Sequence, residues 1–430
     1  MRKVALISLG CSKNLVDSEN ILGLLHYDKF ELVSNPHEAD VIVINTCGFI
    51  TPSKQESIDT IFDMISLNKK VVVTGCLVER YIGELKDLIP EVDLFIPISD
   101  YYRFNELLSS LFDNLPDNGG LREELRIVST GPFSAYLKIG EGCDNRCSYC
   151  AIPLIRGGFK SRSIESIIKE ANVLKDHGFK EIIVLEQDTT KYGVDLKNGE
   201  NIVVLLEKLL EITEFDYIRL LYLYPDEITD ELIDLIAREP RLTPYFDIPI
   251  QHSESHVLKA MNRRGDKEFL IDLFKRIRNK VPNAVLRTTL LVGFPGEKEE
   301  DIDNLVKFIE EIEFDHLGCF TYSPEEGTAS YNFDNQVDEE VKEKRKDKIM
   351  KAQQKICYRK NKLHIDEVME GLIYGKQGKD YLFRSYWNAP DDIDGKIFVE
   401  STTPLKIGQK IKVKIKDAMV YDLIGVALDN

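Results

Sequence analysis

The chain has 430 residues, 43% hydrophobic and 30% charged, the balance of a soluble globular protein with room for two to four domains that each bury a core. No run approaches the ~18 apolar residues of a membrane span, and the apolar run in Met1-Arg-Lys-Val-Ala-Leu-Ile-Ser-Leu-Gly10 is too short for a secretory signal. A formal charge of −17 repels phosphate overall, which argues against a chain devoted to nucleic-acid binding, although acidity also serves plain solubility. Eight cysteines in such a chain point to a reducing, cytoplasmic setting and to metal use over disulfides.

Residues 1–113 alternate short apolar runs with amphipathic stretches. Strands are predicted at Val4–Leu9, Val41–Asn45, Val71–Thr74 and Leu94–Ile96, and helices at Val16–His26, Ser53–Ile65, Val78–Leu88 and Phe104–Phe112. Continuous apolar strands between helices predict a parallel sheet covered on both faces. The polar, Gly/Pro-bearing stretch 114–130, beginning Asn114-Leu-Pro-Asp-Asn-Gly-Gly120, reads as a linker. Residues 131–363 hold a longer βα series, with strands expected at Ala135–Ile139, Glu181–Leu185, Tyr217–Leu221, Tyr245–Ile250, Ala284–Val292 and His316–Tyr322. Six strands suffice for a partial (βα)6 barrel but not for a closed eight-stranded one. A long polar helix at about Asp338–Leu363 closes this region, and 364–430 changes to short alternating strands, read as a small antiparallel, OB-like β-barrel. The fold class is therefore α/β with a small all-β module at the end.

Chemistry concentrates in the cysteines. Cys143-x3-Cys147-x2-Cys150 supplies three thiolates, and no fourth Cys or His lies within ten residues on either side. A structural zinc site needs four ligands. A 4Fe–4S cluster on three cysteines keeps one iron open, although a zinc or redox-thiol site is the alternative. Cys11, Cys47 and Cys76 are far apart in sequence, but each falls one or two residues beyond a predicted strand. In an open α/β sheet that edge collects ligands, so three thiols are expected to converge on a second three-thiolate cluster; the bland reading is three inert core cysteines. Cys319 and Cys357 lie within apolar or helical stretches and read as core.

The segment Lys138-Ile-Gly-Glu-Gly-Cys143-Asp-Asn-Arg-Cys147-Ser-Tyr-Cys150 resembles the cluster motif of the radical S-adenosylmethionine (SAM) enzymes. Together with Cys11/Cys47/Cys76 and the terminal barrel, it makes the chain resemble the methylthiotransferases over nearly its whole length. Leu9-Gly-Cys-Ser-Lys-Asn-Leu-Val-Asp-Ser-Glu19, Asp247-Ile-Pro-Ile-Gln-His252, Tyr322-Ser-Pro-Glu-Glu-Gly-Thr328 and Arg384-Ser-Tyr-Trp-Asn-Ala-Pro390 look like the branch that modifies an aspartate of ribosomal protein S12. The other branch modifies an adenosine beside the anticodon of transfer RNA. Charge leans the same way, since 364–430 has eleven Asp/Glu against nine Lys/Arg, a formal −2. Lys410, Lys412, Lys414 and Lys416 nonetheless form one basic strand face that keeps RNA contact open.

The resemblance implies a division of roles. Cys143, Cys147 and Cys150 ligate the cluster that binds and cleaves SAM, and the 5′-deoxyadenosyl radical takes hydrogen from the aspartate β-carbon. Cys11, Cys47 and Cys76 hold an auxiliary 4Fe–4S cluster that carries sulfide or polysulfide for insertion, and a second SAM gives the methyl group. The C-terminal module corresponds to the TRAM domain, which contacts the substrate. The implied partners are S12 or the small ribosomal subunit and an electron donor such as flavodoxin or ferredoxin, with no membrane; the chain is expected to be a monomer. Gln187, Gln251, Arg287 and Gly293 are candidates for the SAM pocket. Arg287 could equally pair with a carboxylate, and Val292-Gly-Phe-Pro-Gly-Glu297 could equally be a turn that needs glycine. Arg156 could contact the cluster loop or simply face solvent.

Overall fold

The computed structural model describes residues 2–112, 120–390 and 393–428. It divides into two compact units: one of 1–130, 136–173 and 323–331, the other of 131–135, 174–322 and 332–430. Part of the stretch read as a linker, 114–119, lies outside the described residues.

In the first unit, β1 (Lys3–Ser8), α1 (Ser12–Tyr27), β2 (Glu31–Leu32), β3 (Val41–Thr46), α2 (Thr51–Ile65), β4 (Lys70–Gly75), α3 (Cys76–Leu88), β5 (Leu94–Ile96) and α4 (Phe104–Leu108) follow in order. The sheet order is β2-β1-β3-β4-β5, and every pairing is parallel. β3 is buried at all six positions, as a central strand covered on both faces must be. One core lies on each side of the sheet: Ile42, Ile44, Val71 and Val73 pack with α2 and α3, while Val41, Val43 and Val72 pack with α1 and Phe104. The four expected strands are present. The two-residue strand β2 was not expected, since two residues are too few to show a period.

The same unit contains the cysteine loop. It lies between β7 (Gly140–Glu141) and α5 (Ile152–Arg156), with β7 paired antiparallel to β8 (Lys160–Ser161), and α6 (Ile164–Asp176) begins beyond. Residues 136–138 of β6 (Ser134–Lys138) also belong to this unit. The described part of the 114–130 stretch is not a loose tether. Arg126 is buried, and its guanidinium donates to Glu19 Oε2 at 2.5 and 2.8 Å and to Glu170 Oε1 at 2.7 Å.

In the second unit the expected βα series appears as β9 (Glu181–Leu185), α7 (Ile202–Leu210), β10 (Tyr217–Leu220), α8 (Asp230–Arg238), β11 (Tyr245–Asp247), α9 (Ser255–Ala260), α10 (Lys267–Lys280), β12 (Val285–Val292), α11 (Glu299–Ile312) and β13 (His316–Thr321). β9 pairs with β10, and β11 with β12 and then β13, all parallel. The first two and last three strands are joined through a single parallel bridge, Ile218 to Leu242. β11 stops three residues short of the expectation, where the Ile248-Pro-Ile run leaves the ladder. Cys319 and Cys357 are core residues as expected, at 6% and 4% exposure, and burial pushes their thiols up to about 12 and about 11.

The long helix α12 (Glu339–Leu363) leads into β14 (Val368–Gln377), β15 (Asp380–Arg384), β16 (Ile397–Glu400), β17 (Lys410–Ala418) and β18 (Leu423–Ala427), which close a barrel in the order β14-β15-β16-β18-β17. The expectation of an antiparallel barrel needs one correction, because β16 and β18 run parallel, Ile397 opposite Leu423. A five-stranded ring cannot alternate direction at every contact, so one parallel seam is required. Arg219 and Arg384 flank the buried Glu181 at 3.2 and 3.4 Å, and Arg219 Nη2 donates to the Ser385 carbonyl at 2.8 Å. The barrel is thereby fixed to β9 and β10 of its own unit.

Candidate metal centres

The first site is built by strand register. Ser8 on β1 stands opposite Asn45 on β3, and Asn45 opposite Thr74 on β4, so three chains leave the sheet at one level. Cys11 is then the N-cap of α1, Cys47 follows β3 directly, and Cys76 is the first residue of α3. Gly10 has φ +89°, and a Cβ there would stand 2.9 Å from Cys47 Cβ and 3.0 Å from its Sγ. Only glycine lets the Cys11 loop pass so close to Cys47. Cys47 and Cys76 are buried and Cys11 is exposed. Burial pushes the Cys76 thiol up to about 11, with Arg156 pulling it down and Cys11 and Cys47 adding to the rise. Burial likewise raises Cys47, against a backbone N–H from Phe49 and with Cys11 adding to the rise. The three thiols therefore lie within electrostatic reach of one another.

That donor set suits an iron–sulfur cluster, since soft thiolates favour it and metal binding displaces the protons that burial holds on. Among the described residues, no three His, Cys, Asp or Glu side chains close tightly enough on one point to hold a single metal ion. A cluster, in contrast, spreads its cysteines over separate irons.

A polar scaffold fixes this edge. Asn14 Nδ2 donates to the carbonyls of Leu9 at 2.7 Å and Thr46 at 3.0 Å. Its Oδ1 stands 3.6 Å from Cys76 Sγ and accepts from Arg156 Nη2 at 2.9 Å. Arg156, left open between loop contact and solvent exposure, is only 8% exposed and donates to Asp17 at 2.5 Å and Glu141 at 3.2 Å. Lys138 completes the set, 2.5 Å from Asp17 and 2.9 Å from Glu141.

Cys143, Cys147 and Cys150 are half-buried on the loop between β7 and α5. The Cys143 N–H donates to the Gly157 carbonyl at 3.2 Å, and the Cys150 N–H to the Cys147 carbonyl at 3.0 Å, closing the loop into a tight coil. Arg146 takes a left-handed φ of 50° within it. The Ser330 N–H donates to the Ser148 carbonyl at 2.8 Å, which ties the 323–331 segment to the loop. On the same segment, Glu325 accepts from Lys54 at 2.8 Å and Arg80 at 3.0 Å, residues of α2 and α3. Asn14, Asp17 and Glu325 lie within the family-like stretches but do not stand out in them as site residues. For Asn14 and Asp17 the signal was only a polar residue inside the apolar pattern of α1, and Glu325, in a Ser-Pro-Glu-Glu-Gly loop, carried none.

The residues considered for SAM are placed as follows. Gln187 is half-buried just beyond β9. Gln251 has a left-handed φ of 70°, with its N–H on the Thr289 carbonyl at 2.9 Å. Gly293 donates its N–H to the buried Glu297 at 2.8 Å, and Gly293 and Gly296 both have positive φ, as the turn reading requires. Arg287 is engaged by Asp247 at 2.6 Å and Asp394 at 3.2 Å, the carboxylate pairing that was one of its two readings. Of the four barrel lysines, Lys410 pairs with Glu370 at 2.9 Å and Asp216 at 3.2 Å, and Lys414 with Asp366 at 2.9 Å. Half of the expected basic face is thus neutralised.

Three family models match in chain order: Uncharacterized protein family UPF0004 at residues 3–97, the Radical SAM superfamily at 137–309 and the TRAM domain at 365–428. No helix among the described residues is long and apolar enough to cross a membrane. In fold, the chain is similar to a radical S-adenosylmethionine methyltransferase, TsrM, from Kitasatospora setae, with a TM-score of 0.53 over 74% of this chain and 73% of that one at 14% identity. It is 46% identical over 441 residues to ribosomal protein uS12 methylthiotransferase RimO of Clostridioides difficile, covering 100% of this chain and 99% of that protein. The protein of the same name from Aquifex aeolicus is 48% identical over 430 residues, covering 98% and 96%. With this likeness running end to end through both cysteine sites and the barrel, the chain belongs to the RimO family of ribosomal protein uS12 methylthiotransferases.

Proposed function

We propose that this chain inserts a methylthio group at the β-carbon of an aspartate side chain of ribosomal protein S12. The observation that carries the reading is the placement of Cys11, Cys47 and Cys76 at one sheet edge in a chain that also has the Cys143/Cys147/Cys150 loop. A radical SAM enzyme requires SAM and a 4Fe–4S cluster; Cys143, Cys147 and Cys150 would hold that cluster. Bound there, it supplies an open iron for SAM and the electron that cleaves it, the reactivity that an unactivated C–H bond demands. Cys11, Cys47 and Cys76 would hold a second 4Fe–4S cluster with sulfide or polysulfide at its open iron. The chain's own part is positional. Asn14, Arg156 and the Asp17/Glu141/Lys138 set hold the ligand-bearing backbone, and the burial of Cys47 and Cys76 keeps water from two of the thiolates.

Gln187, Gln251, Arg287 and Gly293 remain the candidates for SAM contact, Arg287 being also paired with Asp247 and Asp394. The division into 1–113, 114–130, 131–363 and 364–430, a monomeric state, a cytoplasmic location and flavodoxin or ferredoxin as reductant belong to the same reading. The test is a Cys11→Ala variant, reconstituted anaerobically and given SAM, reductant and S12. It should still form 5′-deoxyadenosine and should leave S12 unmodified; intact thiomethylation would overturn the assignment of roles.

A further inference from the structure

Arg156 ends α5, six residues beyond Cys150, yet its guanidinium is buried beside a cysteine of the other set. Its Nη2 donates to Cys76 Sγ at 3.4 Å and to Asn14 Oδ1 at 2.9 Å. Its Nη1 is held on the far side by Asp17 at 2.5 Å and Glu141 at 3.2 Å. Four partners in a fixed fork leave this side chain no freedom, and guanidinium keeps its charge at any working pH. Lys138 binds the same two carboxylates but makes no contact with Cys76, so Arg156 is the cation that faces the sulfur.

A hydrogen bond to a ligating sulfur and a nearby fixed cation both stabilise the more negative, reduced state of an iron–sulfur cluster. We propose that Arg156 is a positioning residue that raises the reduction potential of the centre held by Cys11, Cys47 and Cys76. It does so from the helix that follows the Cys143–Cys150 loop. The proposal rests on the reading that those three cysteines hold a cluster. It links the two cysteine sets through one side chain: any shift of α5 moves the cation on Cys76.

The test uses the full chain with Cys143, Cys147 and Cys150 all changed to Ala, so that only the auxiliary centre can assemble. After anaerobic reconstitution, iron content and midpoint potential are read by chemical assay and EPR-monitored titration. Three forms are compared: Arg156 retained, Arg156→Lys, and the double variant Asp17→Asn/Arg156→Gln, which removes both charges of the buried pair together. The double variant should keep its iron and shift to a more negative potential, with Arg156→Lys between the two. Loss of Asp17 alone removes an anion and would shift the potential upward, so a fall can come only from Arg156. If the double variant loses its iron, Arg156→Lys decides alone: a potential below that of the form with Arg156 retained supports the proposal, and an equal one overturns it. An unchanged potential in the double variant, or loss of iron from both variants, overturns the proposal. Absence of iron from the form that retains Arg156 overturns instead the ligand assignment on which it rests.

Discussion

Glu325 and Arg80 form a salt bridge at 3.0 Å with side chains only 2% and 4% exposed. The same carboxylate accepts from Lys54, and Arg80 Nη1 also donates to the Gly48 carbonyl at 2.7 Å, one residue beyond Cys47. One acid therefore fixes the starts of α2 and α3, the two helices that follow Cys47 and Cys76. Breaking a buried pair by removing one charge costs about 3–5 kcal/mol. Glu325→Gln should lower unfolding stability by an amount of that order in denaturant titration and reduce iron retained on Cys11, Cys47 and Cys76. Burial pushes this carboxyl up, but hydrogen bonds from Lys54, Arg80 and Ser323 hold it below its ordinary value of 4.5. A depressed carboxylate adds stability that is complete above the unfolded value and is lost as pH falls through the folded one. The wild-type chain should thus lose more stability than Glu325→Gln when pH is lowered below about 4.5; parallel curves would contradict the pairing.

The two cysteine sets should be separable by metal content. Cys76→Ala should reduce reconstituted iron from about eight to about four per chain while SAM cleavage persists. Cys147→Ala should give a similar loss of iron but abolish cleavage. Iron assay beside 5′-deoxyadenosine production distinguishes the two. Equal loss of cleavage in both variants would show that the sites are not independent.

Gly75, just before Cys76, has φ +95°, and a Cβ there would stand 2.3 Å from Asn45 Oδ1 and 2.5 Å from the Thr46 carbonyl. Gly75→Ala therefore combines a strained φ with a backbone clash and should cost about 2 kcal/mol or more. The Gly83→Ala change on α3, where nothing lies within 4 Å, is the control and should be neutral or slightly stabilising. Thermal denaturation of the two variants compares them directly.

The barrel's charge pattern predicts weak RNA contact. With Lys410 and Lys414 paired to carboxylates, Lys412 and Lys416 are left as the strand's cations for phosphate. Two phosphate contacts give a slope of log affinity against log salt of about −1.4 for a single strand. Anticodon stem-loop binding should show a slope no steeper than that and should be weaker than binding of S12. A much steeper slope would revive the transfer RNA reading.

Much of this was legible because it depends on local pattern. The strands of the first unit's sheet are continuous apolar runs such as Val71-Val-Val-Thr74, and Cys11, Cys47 and Cys76 each follow the end of one. The Cys143 loop is read from spacing alone. What was not legible depends on side chains distant in sequence. Arg156, before Gly157-Gly158, reads equally as a contact of the cluster loop or as solvent-facing, and only tertiary packing brings Asp17 and Cys76 to it. For Arg287 a carboxylate partner was one reading, but nothing in the sequence names Asp394, 107 residues later. The parallel seam between β16 and β18 is likewise a property of ring closure and carries no mark in either strand.

The most direct measurement offers an S12 loop peptide and a transfer RNA side by side to the anaerobically reconstituted enzyme with SAM, reductant and sulfide, and reads both by mass spectrometry. Thiomethyl mass on the peptide's aspartate, with the RNA unchanged, is the predicted result. The same mass on an adenosine, with the peptide unchanged, would contradict it.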